Sequence, residues 1–415
     1  MGHEKGKVKV NTGKLPKSRR HGSAIVLVLL AAIIMSAMGV GLLSLGMHSR
    51  FMALRTCSEI AARCAADAGL TKALFEMNQR LKAESWDDST LPQITNEALL
   101  NCDATFSYTV TGNIGSGYTV EVVGKSGRFE KRINCSLPLE SPFESVILTD
   151  NTIVLMSNTQ VDGYNSTDPS VTDVKVKIGT NSTAESSIIL NSGVTVNGDL
   201  LVGPGGDVAT VIKDLGATTG NWYAMSQEIA LDPVTVPALS DKGTGINVHG
   251  TTLTIGPADS GKYTQIGLKR AAGPAVLQID GGNVVLQVTG DIKLGQDCEI
   301  AIKQGASLEL YLDGDLDAGN SAGINNANSP TKFKLYGTAQ EQQQFVLKAK
   351  NNFVGAVYAP KAAVSINAGS DIYGAFTAKS FETKSGSRLY YDEALKNVSV
   401  EDTSVRFIVK QWGEE

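Results

Sequence analysis

The sequence predicts an α+β chain, mainly β: a long N-terminal transmembrane helix, a small antiparallel sheet, then a right-handed parallel β-helix-like solenoid. Three observations carry that expectation. Residues Ala24 to Met47 run for 24 positions without a charge. Alternating apolar runs between Ala104 and Asn134 are split by glycine-containing turns. From Val196 to Gly319 a short Gly-Asp unit recurs among aliphatic residues. The 415 residues include 43 glycines and only 6% aromatics, which suits short strands and turns better than a helical bundle.

Charge is divided unevenly. Residues 1–22 carry Lys5, Lys7, Lys9, Lys14, Lys17, Arg19 and Arg20 against Glu4, a net +6 within a chain of net −5. The remainder is therefore acidic by about −11 and repels phosphate, which argues against a nucleic-acid partner. At 1.5 Å per residue the apolar run spans roughly 36 Å, enough for a hydrocarbon core of about 30 Å. Only Ser36 and Ser44 interrupt it, so it lacks the polar stripe of a soluble helix. The basic cluster before it sets the N-terminus inside by the positive-inside rule, with the bulk outside the cytoplasmic membrane. A secretory signal shares the basic start, but its apolar region is shorter and ends at a cleavage site. Here the run passes straight into more helix. A retained anchor is expected, with the lipid bilayer as its partner.

From Arg50 to about Ala83 there is no proline, and Leu70, Leu74, Met77 and Leu81 fall at helical spacing. Ala61, Ala62, Ala65, Ala66 and Ala68 make this stretch narrow, suited either to close helix packing or simply to high helix propensity. Cys57 and Cys64 lie about 10 Å apart along the axis, too far to bridge each other. After a polar linker, Glu84 to about Glu97, the strand-like runs are 104–111, 118–123 and 128–134. Cys102 and Cys135 bracket them and form a candidate disulfide if the first and third strands are neighbours. Cys298 reads as a core or unpaired thiol.

The order Arg19-Arg-His-Gly22, Ser23-Ala-Ile-Val-Leu-Val-Leu-Leu30 and Ala65-Ala-Asp-Ala-Gly-Leu70 resembles the N-terminal region of PilX-type minor pilins and is similar to K-type minor pseudopilins. The resemblance covers residues 19–82. It implies prepilin-peptidase processing between Gly22 and Ser23, and assembly with other pilin-like subunits of a type IV pilus or related secretion filament. Leu27 stands where major pilins carry Glu, and Ser23 replaces the usual aromatic or Met. The first departure points to a minor or accessory subunit; the second bears on whether the chain is cut there.

Beyond Ser145 the unit recurs as Val196-Asn-Gly-Asp-Leu200, Val288-Thr-Gly-Asp-Ile292 and Leu312-Asp-Gly-Asp-Leu316, the last two 24 residues apart, a spacing that suits one solenoid rung. Leu308, Leu310 and Leu312 are expected inward, with Glu309, Tyr311 and Asp313 outward. A β-sandwich is the alternative. Val161-Asp-Gly-Tyr-Asn165, Ala306 to Asp315, Gly355 to Pro360, Tyr373 to Lys379 and Leu389 to Leu395 stand in an order similar to an uncharacterised β-rich domain found behind such anchors. The last run, Ser404 to Glu414, reads as a single strand returning to the small sheet. The expected divisions are 1–22, a basic leader; 23–83, the helix; 98–140, the sheet; 145–393, the solenoid; and 394–415, the C-terminal strand.

No catalytic site is expected. His249 is the one histidine of the β-region and sits at a glycine corner, while no nucleophile elbow or zinc spacing occurs. Asp313, Asp315 and Asp317 form the best acidic cluster, a candidate calcium or acid/base site. Their other reading, a solvated outer face required by the corner, is favoured. No cofactor is expected. A surface glycan or protein is the expected ligand class for the β-region.

Overall fold

A computed structural model describes residues 23–82, 86–168, 170–171, 173–325, 329–348, 350, 352–367, 369–400 and 402–414. Helix α1 (Ser23–Leu81) is continuous over 59 residues, about 90 Å. It stops two residues short of Ala83, which lies outside the described residues. Its two halves meet different surroundings. Every described side chain from Ala24 to Leu54 is exposed. Farther on, Ala62, Ala65, Ala66, Ala73 and Met77 are fully buried along one face. They pack on Phe106, Tyr108, Val120, Val122 and Ile133 of the small sheet.

That sheet comprises β1 (Gln93–Ala98), β2 (Ala104–Asn113), β3 (Gly117–Ser126) and β4 (Phe129–Leu137), all antiparallel neighbours in chain order. Strand β1 is a correction, because Gln93–Ala98 falls within the segment read as linker. It pairs with β2 through a bulge between Ile94 and Glu97, which breaks the alternation that would have marked it. The candidate Cys102–Cys135 disulfide is also corrected. Strand β3 lies between β2 and β4; Cys102 is exposed in the turn before β2, Cys135 is buried on β4, and both thiols are free. The C-terminal strand Lys410–Glu414 does return to this sheet, pairing antiparallel with β4. The stretch is two strands rather than one, since Arg406–Phe407 first pairs with Leu139–Glu140.

The remaining 25 described strands form one sheet whose pairings are all parallel, which excludes the sandwich. They stack as three ladders. Ile292 lies beside Leu316, and Val284, Leu308 and Phe333 follow one another in register, so a rung takes 24 or 25 residues here. Leu308, Leu310 and Leu312 point inward as expected. Tyr311 does not reach solvent: it is 2% exposed, stacked on Tyr336 at 5.1 Å, with its hydroxyl 3.0 Å from Thr403 Oγ1.

The rungs do not stack in sequence order. Asp371–Thr383 pairs with Ile147–Thr149, and Arg388–Asp392 pairs with Gln160–Tyr164. The first rungs of the domain thus sit on its last ones, and the stack ends at Trp222–Ala224 and at Ile246–His249. Residues 225–245 must run the length of the stack to join those ends. Met225 N–H donates to Val202 O at 2.9 Å, Asn181 grips Ile229 through both amide atoms (2.8 and 3.1 Å), Tyr358 donates to Asp232 O at 2.9 Å, and Lys242 N–H donates to Lys262 O at 2.9 Å.

The helix–sheet contact depends on two missing side chains. A Cβ at Gly124 would stand 2.1 Å from the carbonyl oxygen of Ala62, and one at Gly69 would stand 2.6 Å from Val122 Cγ1. Gly124→Val should therefore push α1 off the sheet and destabilise the chain by about 1–3 kcal/mol. Thermal unfolding of the full chain in detergent, followed by near-ultraviolet circular dichroism at Trp86 and Tyr118, reads the loss. An unchanged midpoint would contradict the packing.

Candidate functional site

The first candidate is the bare half of α1. Leu, Ile, Val, Met, Gly and Ala occupy all sides from Ala24 to Met47, and Ile25, Leu29, Ile33, Met38, Leu42 and Leu45 are 58–71% exposed. In water such a surface is costly, at about 25 cal/mol per Å². The helix is apolar enough to cross a membrane and is a candidate anchor. Of the expected processing pair, Gly22 lies outside the described residues, and Ser23 is where the helix begins.

The acidic cluster has a different task from the one considered for it. Asp315 Oδ1 accepts the Gln344 N–H of the next rung at 2.8 Å, and Asp291 Oδ1 accepts Asp315 N–H at 3.1 Å. Asp199 Oδ1 accepts Asn221 N–H at 2.8 Å in the same manner. The aspartate of each Gly-Asp unit is thus a staple to the following rung. Its glycine permits the approach of the neighbouring rung: a Cβ at Gly314 would lie 2.4 Å from the Gly290 backbone, and one at Gly198 would lie 1.9 Å from Val176 O. Asp313 accepts from the Thr338 hydroxyl, and Asp317 pairs with Lys348 at 2.7 Å. No group of three metal-ligating side chains occurs among the described residues. His249 is exposed at the end of its strand, beside Gly250 at φ +58°.

A third candidate, absent from the sequence reading, is a cleft of about 830 Å³ between the end of α1, the returning strap and the C-terminal segment. Lys82, Trp86, Glu144, Asp232, Tyr358 and Arg406 line it. Arg406 pairs with Glu140, and Lys82 lies 3.7 Å from Asp232. Burial pushes the Glu144 carboxyl above its ordinary range. No sequence signal could have found this cleft, because its walls come from four distant segments.

The family described as Domain of unknown function (DUF7305) matches residues 233–398, which run from the strap to the last rungs. No curated protein matches the chain. Among solved structures the chain is similar to the competence-associated pilin ComZ from Thermus thermophilus, at 13% identity and a TM-score of 0.25, over 86% of this chain and 97% of that one. It is also similar to the DUF3494 domain of ice-binding protein_1 from Shewanella frigidimarina, at 16% identity and a TM-score of 0.28, over 60% of this chain and 95% of that one.

The staples give the solenoid a pH dependence of known sign. The Lys293 ammonium and the Asp315 N–H hold the Asp291 carboxyl below its usual value. A lowered folded pKa contributes stability above the unfolded value, about 3.9, and loses it as pH falls through the folded one. Asp291→Asn should cost about 0.5–1 kcal/mol at pH 7, a low figure because the side chain is 43% exposed and its ion pair is screened. The deficit should shrink as pH falls below about 3.9 and through the lowered folded value, where the wild-type carboxyl also takes up a proton. Unfolding midpoints of the two chains measured from pH 7 to pH 2 check this, and parallel curves would refute it.

Proposed function

We propose that the chain is a non-enzymatic, pilin-like subunit anchored in the cytoplasmic membrane. In this reading, residues 1–22 face the cytoplasm and the solenoid is displayed outside as a surface or adhesion module. The observation that carries this is the division of α1: one half bare and apolar on every side, the other half seated on the sheet through alanines. A helix built this way can stay in the bilayer, or leave it and pack with like helices in a filament, without disturbing the folded part. The PilX-type resemblance of residues 19–82 supplies the route, cleavage after Gly22 followed by assembly with other pilin-like subunits.

The ligand of the solenoid would be a surface glycan or a protein. An anchored polysaccharide-active enzyme is disfavoured because Asp313, Asp315 and Asp317 are already engaged by Thr338, Gln344 and Lys348. The departure at Ser23 favours one second reading, a single-pass scaffold that keeps its leader and has no role in a pilus.

The N-terminus of protein recovered from envelope membranes separates the two. Mass spectrometry should find a chain beginning at Ser23, and Gly22→Val should leave the leader attached. A wild-type chain that pellets with membranes but still begins at Met1 would overturn the pilin reading and leave the scaffold.

A further inference from the structure

On the soluble half of α1, the face turned away from the sheet has no partner among the described residues. Cys57, Ile60, Cys64, Asp67, Thr71 and Phe75 are all exposed along it. Ile60 and Phe75 are 58% and 59% exposed, large apolar groups that a finished surface would cover. At 100° per residue, buried Ala66 is nine positions from Cys57 and diametrically opposite it. Upstream, the same face carries Gly39, Gly46 and Ala53 at seven-residue intervals, and a Cβ at either glycine would meet nothing within 4 Å. A second helix could therefore come close along the whole stripe.

Both thiols are free and exposed. Seven residues make nearly two turns, so Cys57 and Cys64 point the same way but stand about 10 Å apart, beyond the reach of a bond within one chain. Against a parallel copy the geometry differs. Helices packed about 8–10 Å apart bring facing Cα atoms to roughly 4–6 Å, within the disulfide range. A seven-residue interval is also the spacing at which a parallel pair sets each residue against its own counterpart.

We propose that two copies of this chain pair in parallel through this face, and that Cys57 and Cys64 each close a disulfide with the same residue of the second copy. The inference rests on the anchored reading in one respect. The bilayer makes the copies parallel and places Cys57, ten residues beyond Met47, outside in an oxidising compartment. A Cys57 thiolate attacks the disulfide of an extracytoplasmic thiol oxidase and forms a mixed disulfide. The Cys57 thiolate of the second copy then displaces the oxidase, which departs as a dithiol carrying the electron pair and, by way of solvent, the two protons the thiols gave up. Cys64 follows the same course.

The test uses the full chain in its envelope, with thiols blocked by N-ethylmaleimide at lysis and membranes separated before non-reducing electrophoresis. A dimer that reductant abolishes is expected. It should survive in Cys57→Ser and in Cys64→Ser, survive in Cys102→Ser, and vanish in the Cys57→Ser/Cys64→Ser double variant. Loss of the dimer in either single variant would mean staggered Cys57–Cys64 contacts and overturn the in-register pair. Loss in Cys102→Ser, or monomer alone in the membrane fraction, would overturn the proposal while leaving the anchor intact. Recovery of the chain in the soluble fraction would instead sink the anchored reading.

Discussion

The fold depends on one contact in the middle of the solenoid, where Phe376, Thr377 and Ala378 pair with Ile147, Leu148 and Thr149. Because the first rungs rest on the last, the chain begins and leaves the solenoid at the same place. Tyr391 donates to Phe143 O at 2.7 Å and Ser141 to Leu395 O at 2.7 Å, tying the two crossings together. From there the C-terminal segment needs only a short path to the sheet. Asn78 of α1 clamps Phe407 through both backbone groups (2.7 and 3.1 Å), and Phe407 closes on Trp86 and Tyr118. Helix, sheet and solenoid are thereby joined as one body. The same contact obliges residues 225–245 to travel outside the stack, where they and the C-terminal segment cover Tyr311 and Tyr358.

Stability along the stack comes from repetition rather than from any one site. Aliphatic side chains fill the core of most rungs. Phe333, Phe353, Phe376 and Phe381 form a buried series at the central rungs, with centroids 5.2–5.7 Å apart. Corners impose the tightest demand. Glycine is needed where backbones of successive rungs nearly touch, and the aspartate after it satisfies an N–H of the next rung that turns away from the ladder.

Periodicity made the anchor, the three central strands of the meander and the rung-length repeat legible in the sequence, because each is a local pattern of side chains. The Gly-Asp unit was visible as a repeat, but its task was not, since the N–H it reaches lies a whole rung away. Strand β1 was hidden by its bulge and by the polar run Thr95-Asn-Glu97. Tyr311 was placed on the correct side of its strand, yet its burial depends on a segment some 90 positions later. The out-of-order stacking leaves no local trace at all, because a strand's inward residues look the same whichever rung lies above it. The cleft at the junction shares that invisibility.

Function follows from how the two ends of the molecule differ. One end is an apolar rod that needs lipid or other helices around it; the other is a stacked solenoid stapled between rungs at its Gly-Asp corners, which in the proposed reading presents a surface away from the membrane. The central claim is that α1 divides the chain into an inner leader and an outer body. Membrane-impermeant maleimide applied to spheroplasts tests it most directly, in a chain whose Cys57, Cys64 and Cys102 are replaced by Ser and whose leader is kept by Gly22→Val. A cysteine introduced by His249→Cys should be labelled, and one introduced by Lys14→Cys should not. Labelling at position 14 with protection at position 249 would contradict the account.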